Sequence, residues 1–493
     1  MKKLNLLLMA CAVAFMGYAQ ILERDPAVFE PMGENGMFTF ENKWLVSAMP
    51  PLENFGVIGE PNFLNPGYVR NVAVRNGIVY FADRQERQLI RMDAMTGERL
   101  TPVTFEGTDV FMHNGEVWGM PFQTLRVDCA GNLVSANLKL AGNRVQVWVI
   151  DTDNPANSHL VVDDLPTEIW NDAMGVDGDG NPLIPMPGIR IDFFGFYGDM
   201  LNNGVILGAN SGSASLATNI LRWDVVDGEA TWCPFSGAIN IDLTQAGMIG
   251  GLTTLGVAPT AQPISEDLFF LNFGSQPPLL MDMGEDNPGE VLSSLFSDFP
   301  NEDDELDMSL FRSPQGIMEF TLRGNVFLLV PYRTWNPGGV TFRLLRFEDE
   351  GRSFEEIHPM WEFPQIGFGP TGTWATGAMS VDVDEVAGTA TIAIHANVNG
   401  GYGVYVLRVN DGVSVPGVYA DALRVFVDGN VVRIDEPATE ITVFSVTGQQ
   451  VVTAVNTNTV TIPVSGVFLV RVDGQTQRVV IRFFDKERLK TIV

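Results

Sequence analysis

The chain has 493 residues, with 60 acidic against 30 basic side chains, a formal net charge of −30, and three cysteines. A body this acidic repels polyanions, which excludes nucleic acid and an anionic membrane surface as partners. No Cys-x-x-Cys occurs, which excludes zinc ribbons and thioredoxin-type redox centres.

The chain opens with Lys2 and Lys3, then a short apolar run from Leu4 to Met16, then small residues at Gly17 and Ala19. This pattern reads as a secretory signal peptide over residues 1–19. A lipoprotein box at Leu8-Met9-Ala10-Cys11 is the rival reading, but it leaves only a stub of apolar run. No later stretch is long and apolar enough to span a bilayer. The expected address is the periplasm, the outer-membrane surface or the medium. Cys129 and Cys233 survive cleavage. Export permits a bridge between them, and two separate buried thiols are the alternative.

Residues 37–47 read as a strand standing alone. Six repeats follow, each a Gly- or Pro-rich lead-in, a strand, a tight turn, a second strand and a polar loop. The lead-ins are Asn65-Pro66-Gly67, Gly119-Met120-Pro121, Pro185-Met186-Pro187-Gly188, Gly250-Gly251, Ser313-Pro314-Gln315-Gly316 and Gly372-Thr373-Trp374. The first repeat is the clearest, with strands at 72–75 and 78–82 around Asn76-Gly77, a strong hairpin signal because both residues tolerate positive φ. The fourth is read as 252–257 paired with 268–271, and the fifth as 317–322 paired with 326–330. A period of about 54 to 64 residues in an all-β pattern predicts the blades of a β-propeller. The sixth repeat supplies only three strands before Asn410-Asp411-Gly412, so residues 37–47 are expected to complete it and close the ring.

A linker is expected over 413–420. Seven short alternating strands then fall within residues 421–493, the pattern of a small β-sandwich. Eight basic and eight acidic residues between Pro416 and Val493 set this stretch apart from the acidic body. The runs 442–451, 460–472 and 477–481, with glycines at Gly448 and Gly466 and the Gly-Val-Phe segment ending at Phe468, resemble the type IX secretion sorting domain of Bacteroidetes. That resemblance implies a partner in the secretion machinery. The body is similar to a family of secreted Bacteroidetes propellers of unknown function, through Ile189-Arg190-Ile191-Asp192, Gly198-Asp199 and the segment from Asp128 to Leu133. It implies a fold and a compartment, and carries no catalytic residue across.

In a propeller the lead-ins and the loops after each second strand share one face, where ligands usually sit. Those loops hold Arg84, Asn137, Asn210, Asn272, Tyr332, Arg333, Trp335, His395 and Asn397. Flat apolar faces with convergent polar groups suit a glycan or a peptide, while asparagine also caps strands and turns for purely structural reasons. Arg190 and Asp192 alternate on a presumed innermost strand and are expected to line the channel as an ion pair between blades rather than as a catalytic pair. Asp177-Gly178-Asp179-Gly180-Asn181 has the oxygens of a calcium loop but departs from the EF-hand pattern at Pro182 and Gly188. It reads as an Asp-Gly turn, and no cofactor is expected. Asn301 to Glu305 and Asp307 read as a solvated loop. The four histidines are scattered, and neither a P-loop nor a nucleophile elbow appears.

The expected fold is thus all-β, a six-bladed β-propeller over 20–412 followed by a small C-terminal β-sandwich. The expected function is non-enzymatic binding or scaffolding at the cell envelope, with a glycan or a protein as ligand. The alternative is a propeller enzyme acting on a polysaccharide or lactone, metal-assisted, with acids and His395 at the channel.

Overall fold

The computed structural model describes residues 33–46, 68–240, 259–294, 316–410 and 425–481, with short gaps inside the last four ranges. The signal peptide, the strand expected at 252–257, the acidic run at 301–307 and the linker at 413–420 lie outside the described residues. Among them the chain is all-β, apart from the helix Pro166–Met174 and a 3-10 turn at Pro155–Asn157. Among the described residues no helix is long and apolar enough to cross a membrane. The chain divides into two compact units, Met1–Gly412 and Val413–Val493.

Among the described residues the first unit holds six antiparallel sheets of four or five strands, each opened by a lead strand, and a small two-stranded sheet of Met112–His113 and Glu116–Val117. The lead strands are Val69–Arg75, Met120–Val127, Ile191–Gly198, Thr260–Pro263, Met318–Leu322 and Gly377–Asp384. In sheets one to five the following three strands join in sequence order. The hairpins form where the turn chemistry asks for them. Asn76 and Gly77 both take positive φ, at 52° and 72°, which suits a hairpin turn. The fourth sheet corrects the sequence reading, because the partner of Leu268–Asn272 is Thr260–Pro263, with Ala261 opposite Leu271. The turn between them is tightened by Ser265, whose hydroxyl accepts from the amides of Asp267 and Leu268.

The sixth sheet is assembled differently. Gly377–Asp384, Thr389–Ala396 and Gly401–Val409 are joined by Phe38–Val46, which pairs antiparallel along Gly401–Val409 from Phe38↔Val409 to Val46↔Tyr402. Gly33–Asn35 adds a short fifth strand.

Alternation along the strands puts apolar side chains on both faces of every sheet, so both faces need cover. In the first sheet Tyr80 and Ala82 join a core with the second sheet, while Val79 and Phe81 join one with the sixth. In the fourth sheet Phe269 and Leu271 pack toward the third, and Phe270 toward the fifth. The remaining cores lie between the second and third sheets and between the fifth and sixth. Each sheet therefore shares a core with the next, and the sixth with the first.

The lead strands are edge strands, and their outward amides need partners other than a ladder. Side chains of the neighbouring lead strand serve. Ser380 Oγ accepts from Val74 N at 3.0 Å, Thr124 Oγ1 from Phe194 N at 3.1 Å, and Gln262 Nε2 donates to Phe196 O at 3.1 Å. Asn71 Nδ2 likewise donates to Gln123 O.

The second unit corrects the count of strands. Among the described residues five strands stand where seven were expected, because Val431–Ser445 and Gln450–Thr461 each run through a predicted break. The pairing of these two absorbs residues 434–437 as a shift of register between Arg433 and Ala438. Val432, Ile441, Val443, Val460 and Val470 form its core.

Phe40 is 1% exposed and stacks between Trp361 and Tyr405, with ring centroids at 5.0 and 5.4 Å. It ties the incoming strand to two sheets at once. Phe40→Ala is expected to lower stability by about 3–5 kcal/mol, read as a shift in the denaturant midpoint. A loss below about 1 kcal/mol, the scale of an ordinary surface change, would show that the strand 38–46 does not hold the first unit together.

Candidate functional site

The candidate site is built on the lead strands of the first, second and third sheets and the loops beside them. It includes a buried cation, Arg126, on the strand Met120–Val127. Arg126 belongs to the second sheet, yet its Nη1 donates to Met379 O of the sixth at 2.9 Å. Its guanidinium also lies against Gly316, which leads into the fifth sheet. A Cβ on Gly316 would stand 3.6 Å from Arg126 Nη2 and 2.9 Å from Met379 Cε, and its φ of +100° favours glycine. One side chain thus bridges sheets two, five and six. Burial pushes its pKa down to about 10.

Beside it lies a second group of cations. Val69 pairs with Asp83, and Arg84 N donates to Tyr68 O at 3.4 Å, so residues 68–70 and 84 sit together. Arg84 Nη1 donates to Gln123 Oε1 at 2.8 Å and approaches Met120 Sδ at 3.5 Å. Burial holds the Arg84 guanidinium down at about 10, and the nearby charge of Arg70 adds to this. Burial also lowers Arg70, while Asp192 of the third sheet works the other way. Tyr68 is 42% exposed at the edge of the group. Lys139 is buried, its ammonium donating to Leu140 O and its pKa pushed down to about 8 by burial.

The sequence-predicted residues divide into three sets. Arg84, Arg190 and Asp192 join this cluster. Arg190 and Asp192 form a bidentate pair, with Nη2 to Oδ1 at 2.8 Å and Nε to Oδ2 at 3.1 Å. The amides of Asn137, Asn210 and Asn272 are instead turned inward and at most 2% exposed. Asn137 bonds Arg144 O and Gln146 N, Asn210 bonds Arg190 N and Gly188 O, and Asn272 bonds Gly316 O. Each fastens a loop or lead-in, as capping asparagines do. Tyr332 and Arg333 lie on the strand Asn325–Thr334, with Tyr332 opposite Thr341 and Arg333 opposite Val340. Trp335 and Asn397 lie outside the described residues.

His395 is wholly buried on Thr389–Ala396, its ring 5.8 Å from that of Phe81. Among the described residues neither ring nitrogen has a hydrogen-bond partner. Burial, and then the charge of Arg70, push its pKa down to about 3, so the imidazole is neutral at ordinary pH.

Among the described residues no group of three or more His, Cys, Asp or Glu is placed to hold a metal ion. The Asp177 carboxylate is filled by its own turn, accepting from the amides of Asp179 and Asn181 at 2.9 Å each. Cys129 and Cys233 are not bridged and, contrary to the alternative of buried thiols, both are exposed. Sequence reasoning passed over Tyr68, Arg70, Arg126 and Lys139. The signal for Arg70 and Arg126 was available, since each lies on the first strand of its repeat, the position that singled out Arg190 and Asp192.

No family model matches the chain, and no curated protein matches it. It is similar to a solved DUF4623 family protein from Bacteroides eggerthii, with 13% identity, 69% of this chain and 70% of that one covered, and a TM-score of 0.45. It is also similar to a luciferin-regenerating enzyme, with 10% identity, 70% and 92% covered, and a TM-score of 0.35. A hydrazine synthase from Kuenenia stuttgartiensis matches at 10% identity, 68% and 78% coverage and a TM-score of 0.33. At these values the likeness carries neither fold nor activity over to this chain.

The buried imidazole makes the fold sensitive to acid. The unfolded chain takes up a proton on His395 near pH 6.5, and the folded chain refuses it until about 3. Stability from this group is therefore complete above pH 6.5 and falls between 6.5 and 3, by at most about 1.4 kcal/mol per pH unit. His395→Phe should show a flatter loss of stability than the parent between pH 7 and 4, read from denaturant midpoints. Parallel curves for the two proteins would contradict the buried, neutral assignment.

Proposed function

We propose that residues 20–412 form an exported six-bladed β-propeller that binds a glycan at the cell envelope without transforming it. The ring reading is supported by the cycle of shared cores from the first sheet to the sixth and back. It is supported too by the pairing of Phe38–Val46 with Gly401–Val409, the join that a closing strand makes. The C-terminal unit is proposed as a small sandwich that engages the secretion machinery, and residues 1–19 as the signal peptide that starts export.

The observation that carries the binding reading is the exposed ring of Tyr68 on the segment that pairs with Asp83 and Arg84, where Gln123 of the second sheet fixes the Arg84 guanidinium. An exposed aromatic ring beside fixed polar forks is the make-up of a sugar site. The groups an enzyme would need are engaged otherwise. Asp192 is clamped by Arg190, and His395 is enclosed and neutral, so neither is poised as a general acid or base.

Tyr68→Ala is the test, since Tyr68 is the exposed ring. A panel of oligosaccharides is titrated against the mature chain by calorimetry, with product analysis by mass spectrometry on the same mixtures. Binding that weakens about tenfold in Tyr68→Ala, with the sugars recovered intact, is expected. Shortened or ring-opened products that the parent forms and a heat-inactivated sample does not would replace this reading with the enzyme one.

A further inference from the structure

We propose that the first unit holds a small monovalent anion, such as chloride, against the Arg126 guanidinium where the lead strands meet. The ion is a fixed part of the fold, distinct from any ligand held near Tyr68.

Arg126 is 4% exposed. Among the described residues its one hydrogen bond runs from Nη1 to Met379 O at 2.9 Å, and the buried Nε has no partner. The chain carries two acids for every base, yet among the described residues no carboxylate pairs with this guanidinium. Burial alone moves its pKa, down to about 10, so the group is charged at ordinary pH. A charge taken out of water is tolerated when it is paired, and a single carbonyl does not neutralise it. The missing counter-charge has to come from outside the chain.

The same meeting of strands holds donors in excess of acceptors. Thr124 lies two residues before Arg126, on the same face of Met120–Val127, and its Oγ1 accepts from Phe194 N at 3.1 Å. Ser380 follows Met379, and its Oγ accepts from Val74 N at 3.0 Å. Thr260 Oγ1 accepts from Gly316 N at 3.4 Å. All three residues are wholly buried. Each hydroxyl has its oxygen occupied, and among the described residues none gives its proton to an acceptor. Room is kept beside the cation by Gly316, where a Cβ would stand 3.6 Å from Arg126 Nη2 and where a φ of +100° favours glycine. Spare donors beside an unpaired buried guanidinium suit an anion. Its size and charge follow from the enclosure. Gly316 and Met379 are buried, so a bare ion fits the place better than a sugar acid. One positive charge is balanced by one negative charge, whereas a divalent ion costs more to dehydrate and leaves a net charge in the interior.

The experiment dialyses the mature chain into sodium gluconate, an anion too large for the site, and replaces gluconate by chloride, bromide or nitrate at constant ionic strength. An ion that binds only the folded chain raises its melting temperature, here by roughly 2–4 °C at about a hundred times the dissociation constant. Arg126→Met keeps the bulk and removes the charge, and its melting temperature should not respond to the exchange. Arg126→Lys should keep a smaller response, since it restores charge without the fork. Crystals of the parent grown in bromide should show an anomalous peak beside the Arg126 guanidinium, a readout that stands even where a variant does not fold. A parent that melts at the same temperature in gluconate and chloride overturns the proposal. So does a response that Arg126→Met shares in full, and so do bromide peaks confined to the exposed surface, which would mark an adventitious ion only.

Discussion

Each of the six large sheets of the first unit has two apolar faces, and that constraint governs the rest. A sheet with one wet face can end a stack, but a sheet apolar on both sides needs a neighbour on each. Six such sheets satisfy one another when the sixth also packs on the first, as the shared core of Trp44, Val72, Phe81, Tyr402 and Val404 shows. The strand Phe38–Val46 follows from this demand. It completes the sixth sheet, and it supplies Phe38, Phe40 and Leu45 to one core and Trp44 and Val46 to the other.

Packing by faces leaves the lead strands with an open edge. Their free amides are met by hydroxyls and amides from the neighbouring lead strand, and by loop asparagines fastened to lead-ins. Polar groups thus gather where the lead strands meet, although the sheets themselves are apolar. Arg126 is the extreme instance, a cation that spans three sheets by reaching one carbonyl and one glycine. The same crowding explains why the charge of Arg70 reaches Arg84 in its own sheet and His395 in the sixth, and why Asp192 of the third reaches Arg70.

Much of the scaffold was legible in the sequence. Asn76-Gly77 and Arg323-Gly324 give hairpins because the turn chemistry is local and strongly biased. The fourth lead strand was misplaced because Thr260–Pro263 is short and bears a proline, a weaker strand signal than the apolar run before it. In the C-terminal unit, breaks were expected around Pro437 and Asn456. The ladder runs through both, with a register shift between Arg433 and Ala438 and a positive φ at Asn456. The candidate site was legible only in part. Arg84, Arg190 and Asp192 were found by their position in the repeat. Asn137, Asn210 and Asn272 were found by the same logic with two roles open, ligand contact or capping, since a strand-end asparagine looks the same whether it faces solvent or a buried carbonyl; the structure shows the capping.

The sequence by itself determined the strands, most of the turns and the two-faced apolar pattern, because these rest on contacts between residues close along the chain. It also determined the acidic body and the chemistry available to a site. The tertiary structure alone decided which edges and faces meet, since Phe38–Val46 finds its partner some 360 residues away, as Asn42 does at Val404. It alone decided which polar side chains are consumed by backbone groups of another sheet and which are not. That division depends on what stands opposite each side chain in space, and for Arg126, Asn272 and Arg70 what stands opposite comes from another sheet.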